Sequence, residues 1–406
     1  MLIYIDRGVL ASIVSTLEDH DRGLGLTPAE IGLLGSFFML GFMISGPIFA
    51  HYSQSSHSLT LIGIGLLIWG ASSFGAGMSR SFWELSIARA CSGVGEASFV
   101  CLAPPYIMDH APSSRKTTWI AVFYSAISIG FALGNIFGNT VSEALGGWYW
   151  PFYIEGAFIL PFVLISFMGK KVSLNSDLDA KNEVIPLCKQ FVILAKCLSY
   201  DFTVLGFSAY IFTIGGIGYW GTYIIEKLFS KTPRVAAFSL GIIIIISGSL
   251  GTLLGSLFFD CIVRKFSLLH SEKKIKDEKF RNITTEKANL FLYITAFFSI
   301  IFFMAGLFMN DYFYFMILFG VGLFTLFLNK GPVALALMNS VPVKLRGQGN
   351  AVAIFFMHLF GDFPSPAIIG YLFTFSIFWG VVLTFGWLIW AVIFWIFAWN
   401  TSVFDI

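Results

Sequence analysis

The chain is a succession of apolar runs, most of them about twenty residues or longer. At 1.5 Å rise per helical residue, each such run is long enough to cross the hydrocarbon core of a bilayer. Twelve runs can be drawn: 2–17, 28–52, 59–78, 82–108, 117–139, 148–168, 200–225, 236–259, 290–309, 311–338, 348–373 and 376–399. Charged residues make up 12% of the 406 residues and hydrophobic ones 57%. A soluble domain carries roughly 25% charge. The sequence therefore predicts a polytopic, all-α membrane protein of about 12 transmembrane helices. The net charge of +2 carries no nucleic-acid signal, because the basic residues sit in the connections.

The order is six runs, a polar stretch, then six more. It predicts an N-terminal six-helix bundle over 1–169, a cytosolic linker over 170–198, a C-terminal six-helix bundle over 199–399 and a cytosolic tail over 400–406. Two such halves suggest a pseudo-symmetric pair rocking about a central site. An internal echo agrees: Gly255 to Asp260, Arg264 and Lys265 matches Ala50 to Gln54 and His57 in position. Thr27-Pro28-Ala29-Glu30 reads as a helix start, with a threonine N-cap, proline at the first position and glutamate at the third. The first run is short and carries Asp6-Arg7 near its start, which predicts a truncated first helix and a natural start further upstream. No cleavable signal peptide is evident, so the first helix is expected to act as the targeting signal.

Lysine and arginine distribution predicts the orientation. Seventeen of the 25 lie in the connections four–five, six–seven, eight–nine and ten–eleven. Five lie on the opposite side, and Arg7, Arg89 and Lys330 lie within runs. The rich side is expected to be cytosolic, together with both termini. The sequons at Asn282 and Asn400 would then lie on the wrong side for use. The five cysteines show no close metal-type pair, and most read as buried apolar residues.

Arg89 and Glu96 lie inside the fourth run, seven residues apart, so two helical turns place them on one face. Each charge near the bilayer centre costs roughly 2.5–3.5 kcal/mol on insertion scales. Gly93 and Gly95 between them leave that face smooth, open to a neighbouring helix or a ligand. Two costly charges on a smooth face predict a cavity lining. A structural ion pair that locks two helices together is the alternative.

Several further stretches resemble the spinster family of the major facilitator superfamily. They are Tyr4-Ile-Asp6-Arg7, Gly93-Val-Gly-Glu96-Ala-Ser, Ala103-Pro104, Phe123-Tyr124, Gly130, Gly147-Trp148, and Asn329 with Gly331-Pro332. The most specific is His358-Leu-Phe-Gly-Asp362-Phe-Pro-Ser365-Pro366. The resemblance implies the major facilitator fold and a secondary transporter with alternating access, whose animal relatives carry lysophospholipids and sphingosine phosphates. It also implies a charged cluster at Asp6, Arg7 and Glu96. There Asp6 or Glu96 would bind the proton, and Arg7 would partner it or an anionic headgroup. Low dielectric favours the neutral acid and a nearby arginine the carboxylate, so a carboxyl between those pulls can take up and lose a proton. Arg7 and Arg89 can pair bidentately with a phosphate.

Three departures from the family pattern stand out. Gln54, Ser55 and Ser58 replace the acidic and basic residues of the gating motif after the second run, while Asp260 with Arg264 keep its second-half counterpart. Lys330 stands at a predicted helix break, either snorkelling to an edge or serving as a site charge. The shortened first helix removes part of one wall.

Other constellations weigh less. His358 and Asp362 share a face and read as a structural hydrogen-bonded pair, with proton transfer the alternative; no nucleophile accompanies them, so no enzyme chemistry is expected. Glu155 reads as interfacial beside Trp148 and Tyr153. The Trp-rich last run (Trp379, Trp387, Trp390, Trp395, Trp399) reads as an interfacial anchor at its ends. Phe123, Tyr124, Phe355 and Phe356 are candidates for an apolar wall. The stretches Lys227 to Arg234 and Arg264 to Lys287 read as solvated loops, the latter with anionic lipid contact as its sharper alternative.

The expectation is thus a monomeric, proton-coupled or facilitative carrier of an amphipathic lipid in the plasma membrane or an acidic internal compartment. No cofactor or metal is expected beyond a proton gradient. Transport of a sugar or drug-like solute is the alternative, and a transport-inactive receptor or scaffold the reading from another class.

Overall fold

A computed structural model describes residues 1–53, 56–110, 116–168, 193–271, 277–342 and 345–404. Gln54, Ser55 and most of the expected linker lie outside these residues. Among the described residues the secondary structure is helical throughout. In order the helices are α1 (Leu2–Ser12), α2 (Val14–Glu18), α3 (Pro28–Tyr52), α4 (Ser58–Met78), α5 (Phe82–His110), α6 (Lys116–Leu145), α7 (Trp150–Met168) and α8 (Leu198–Phe229). They continue as α9 (Pro233–Ser271), α10 (Asp277–Leu307), α11 (Tyr312–Phe327), α12 (Lys330–Asn339), α13 (Arg346–Met357), α14 (Pro364–Phe375), α15 (Ile377–Gly386) and α16 (Leu388–Phe404). A π-helical turn, His358–Asp362, joins α13 to α14.

Ten spans among the described residues are long and apolar enough to cross a membrane. The first run breaks at Ile13 into α1 and α2, each too short alone. The capping box at Thr27 is formed as the sequence predicts: Glu30 N–H donates to Thr27 Oγ1, and Thr27 N–H donates to Glu30 Oε2. Such a cap satisfies donors that a helix start otherwise leaves open.

Two compact units result, and they do not follow chain order. One comprises Met1–Glu183, Gly216–Ile242 and Phe363–Gly380; the other comprises Val184–Gly215, Ile243–Asp362 and Val381–Ile406. In the first unit, α3 packs on α5, α4 on α5 and α7, and α1 on α6. Its core includes Leu61, Leu66, Trp69, Leu102, Ile159 and Val163. The α1–α6 contact is backbone to backbone: a methyl group on Gly8 would collide with the Phe131 carbonyl oxygen, and one on Gly134 with that of Ile5.

In the second unit α10 packs on α11, α12 and α16. Phe303 and Phe385 stack at 4.8 Å, and Phe212 and Trp387 at 4.4 Å. Buried Asn289 accepts a hydrogen bond from Thr203, tying α10 to α8.

Several expectations are corrected here. Within Arg264 to Lys287 the described residues are helical and not a loop: α9 runs on to Ser271 and α10 begins at Asp277. Lysine and glutamate are good helix formers, so a helix can continue into polar sequence. The last run is not uniformly an anchor: Trp395 is fully buried and donates from Nε1 to the Thr203 carbonyl, and Trp387 stacks within the core. Trp379 and Trp390 are exposed. Cys91 and Cys261 are exposed rather than buried, because they lie on outward helix faces where a sulfhydryl behaves as a small apolar group.

Candidate functional site

The charge-bearing face of α5 meets α3 with almost no gap. A methyl group on Gly93 would strike the Phe38 carbonyl oxygen, and one on Gly41 would strike that of Ala90. Gly95 serves α4 in the same way, against Gly65 and Trp69. The smooth face is therefore filled by neighbouring helices, the packing that small residues permit between membrane helices.

That packing brings α1, α5 and α7 together around five ionisable side chains of the first unit. Asp6 is 0% exposed and accepts two bonds from Arg89, Nη1 to Oδ1 at 2.8 Å and Nη2 to Oδ2 at 2.7 Å. The Arg89 side chain is 2% exposed. Bidentate geometry of this kind is the strongest form of the pair. With both terminal nitrogens engaged, Arg89 has no fork to offer a phosphate, contrary to the expectation that it would share that task.

Arg7 is held differently. Its Nε donates to Glu96 Oε2 at 3.3 Å, and its side chain remains 20% exposed. The guanidinium lies 5.0–5.3 Å from the ring centres of Tyr4, Phe38 and Phe42. Phe38 faces both cations, with the Arg89 guanidinium also 5.0 Å away. Such contacts are worth roughly 0.5–2 kcal/mol, depending on desolvation. Glu96 is 0% exposed, and its Oε1 has no hydrogen-bond partner.

Glu155 is a correction. It is 3% exposed on α7, not interfacial. Neither of its carboxyl oxygens makes a hydrogen bond. One signal would have found it: Glu155 is the only charge in the sixth apolar run, the circumstance that singled out Arg89 and Glu96.

One end of the first unit carries a second polar group that the sequence did not reveal. Glu18 accepts from Tyr223 Oη at 3.1 Å and pairs with Lys227 at 2.8 Å. Tyr219 donates to the Ile31 carbonyl, Trp220 Nε1 to the Pro366 carbonyl at 3.0 Å, and Ser36 to the Phe363 carbonyl at 2.6 Å. These bonds latch α8 and α14 to α2 and α3. Lys227, expected to be merely solvated, is half of this latch.

In the second unit Lys330 begins α12, and its ammonium lies 4.8 Å from the centre of the Phe327 ring. Among the described residues it forms no ion pair. Neighbouring Asn329 is buried, accepts from Thr295 through Oδ1 and leaves Nδ2 without a partner. Asp260 and Arg264 are both exposed on α9, with no ion pair between them. His358 Nδ1 and Asp362 Oδ2 lie 2.9 Å apart within the π-helical turn. Phe123 stacks on Phe99, Phe356 stacks on Phe360, and Phe355 is exposed. The Tyr124 side chain lies outside the described residues.

Comparison with known proteins gives a consistent set of likenesses. The sequence model of the Major Facilitator Superfamily matches residues 1–366. The chain is 31% identical over 401 residues to the "Probable sphingolipid transporter spinster homolog 2" of Arabidopsis thaliana, covering 92% of this chain and 78% of that protein. It is 31% identical over 229 residues to the mouse (Mus musculus) sphingosine-1-phosphate transporter SPNS2, covering 54% of this chain and 41% of that one. The fold is similar to the crystal structure of a bacterial homolog of the human lysosomal transporter spinster, with a TM-score of 0.81 at 16% identity, covering 100% of this chain and 95% of that one.

Proposed function

The chain belongs to the Major Facilitator Superfamily and, within it, to the spinster family, and from that premise we propose that it carries an amphipathic, sphingolipid- or lysolipid-like anion across the membrane in exchange or in company with protons. The observation that carries this reading is the asymmetric pair of ion bridges. Asp6–Arg89 is bidentate and sealed, whereas Arg7–Glu96 is a single bond at 3.3 Å with Arg7 partly exposed.

The second bridge has the chemistry of a coupling element. A proton arriving on Glu96 cancels the charge that holds Arg7. The guanidinium can then turn to a phosphate or other anionic headgroup. Loss of the proton re-forms the bridge and returns the headgroup to water. The Asp6–Arg89 pair stays intact through these steps and keeps α1 and α5 in register. Lys330 supplies a second cation for the same class of substrate. The relatives' printed names, a sphingolipid transporter and a sphingosine-1-phosphate transporter, support the lipid class.

Alternating access requires the latch at Glu18, Tyr223 and Lys227 to break once per cycle. The lysine-rich connections and both termini face the cytosol in this reading, the protein works as a monomer, and no enzymatic step is involved.

Uptake into proteoliposomes under an imposed pH gradient tests the proposal. Lysophospholipids and sphingoid phosphates are compared with sugar and amino-acid panels. Lipid uptake that responds to the gradient and loses that response in Glu96→Gln is the expected result. Sugar uptake without lipid uptake, or an unchanged gradient response in Glu96→Gln, refutes it.

A further inference from the structure

Three carboxyls, from Asp6, Glu96 and Glu155, share the interior of the first unit with two guanidiniums, from Arg7 and Arg89. Asp6 has both oxygens engaged by Arg89, and Glu96 has one engaged by Arg7. Glu155 has neither engaged. Its carboxyl is 3% exposed in the same three-helix interior, with no arginine bonded to it. Two carboxylates present only acceptors to each other, so a hydrogen bond between neighbouring carboxyls of this cluster requires that one of them carry a proton. An uncompensated charge in a low-dielectric interior is costly unless it is paired or neutralised. One proton brings the five-residue cluster to neutrality.

We propose that Glu155 is a third proton-exchanging carboxyl of the cluster, holding the surplus proton against Asp6 in the arrangement seen here. The inference rests on the proton-coupled reading above and deepens it. In this state the Glu155 hydroxyl donates to a carboxylate oxygen of Asp6. When the cluster opens, the proton leaves Glu155 for water, and a proton is returned when it closes. No bond other than O–H is made or broken. The groups that act on Glu155 are Asp6 from α1 and Arg89 and Glu96 from α5. Helix α4, which also packs on α7, has no titratable side chain. None from α6 acts on Glu155 among the described residues.

Glu155→Gln is the informative variant, because an amide keeps a donor for Asp6 while removing the exchangeable acid. Infrared spectroscopy of the purified protein reads the carbonyl stretch of a neutral carboxylic acid directly and needs no knowledge of the substrate. The wild type is expected to show one such buried band, slow to shift in heavy water. Glu155→Gln is expected to lose it; Glu96→Gln and Glu155→Asp are expected to keep it. In proteoliposomes Glu155→Gln is expected to let the accumulation ratio driven by a pH gradient fall towards one.

A band that survives in Glu155→Gln and vanishes in Glu96→Gln overturns the assignment and leaves proton coupling intact at Glu96. A band that behaves as expected, in a wild type whose uptake ignores the gradient, also overturns an exchanging role for Glu155. That second outcome refutes the proton-coupled reading itself, so the two failures are distinguishable. If Glu155→Gln does not fold, Glu155→Asp is expected to shift the frequency of the band, and a band unmoved in Glu155→Asp would equally overturn the assignment.

Discussion

Two carboxylate–arginine bridges in the same three-helix cluster differ in almost every respect that matters. Asp6–Arg89 is two short bonds with both partners sealed; Arg7–Glu96 is one longer bond with its cation partly wet and backed by aromatic rings. A sealed bidentate bridge is costly to break, because either partner left alone is an uncompensated buried charge. A single bond whose cation is 20% exposed is easier to part, provided the buried carboxylate is neutralised as it opens. The first suits holding helices and the second suits switching, and the contrast can be broken by mutation.

The largest effect is expected from Arg89→Ala, which strands the Asp6 carboxylate. Stability should fall by about 3–5 kcal/mol, read as loss of monodisperse protein or a large drop in the melting temperature in detergent. The double variant Asp6→Asn with Arg89→Gln should recover much of that loss; no recovery would contradict the holding role. Next comes Glu96→Gln, expected to leave the fold near wild type, within about 1–2 kcal/mol, while abolishing the response of uptake to a pH gradient. A melting temperature as low as that of Arg89→Ala would erase the distinction between the two bridges.

Smaller again is Lys330→Gln. It should weaken binding of anionic amphipaths about tenfold, measured by ligand-dependent thermal shift, with zwitterionic analogues unaffected; equal weakening of both would remove the residue from headgroup binding. The smallest effect is expected from Lys227→Ala at the latch. An exposed ion pair is worth about 0–1 kcal/mol, so melting should barely move. The accessibility of a cysteine introduced at Ser36 should rise, and high salt should mimic the substitution.

The sequence carried the membrane class, the span pattern and the residues of both bridges, because charge inside an apolar run is conspicuous. It did not carry their pairing. Spacing places Arg89 and Glu96 on one face and says nothing of what they pair with, whereas in the fold each takes a residue of α1. That choice is made by how α1 sits against α6 through Gly8 and Gly134, a long-range contact with no local signature. Glu155 was passed over because the aromatic residues around it resemble an interfacial belt. The helical continuation through Lys265 and beyond was hidden because a polar segment at a membrane boundary looks the same whether coiled or helical. The latch drew no notice because Glu18 and Lys227 are ordinary connection residues until the fold brings them together.

The contact of α3 with α5 at Gly41 and Gly93 has a mechanical corollary. Main chains that touch, with no side chains between them to yield, leave neither helix room to slide or roll against the other, since packed interiors resist deformation. Whatever a proton or a lipid headgroup does at Glu96 must then be expressed by rotating side chains, or by carrying both helices together as one stiff plate. An added methyl group at Gly93 would jam that plate without altering any charge.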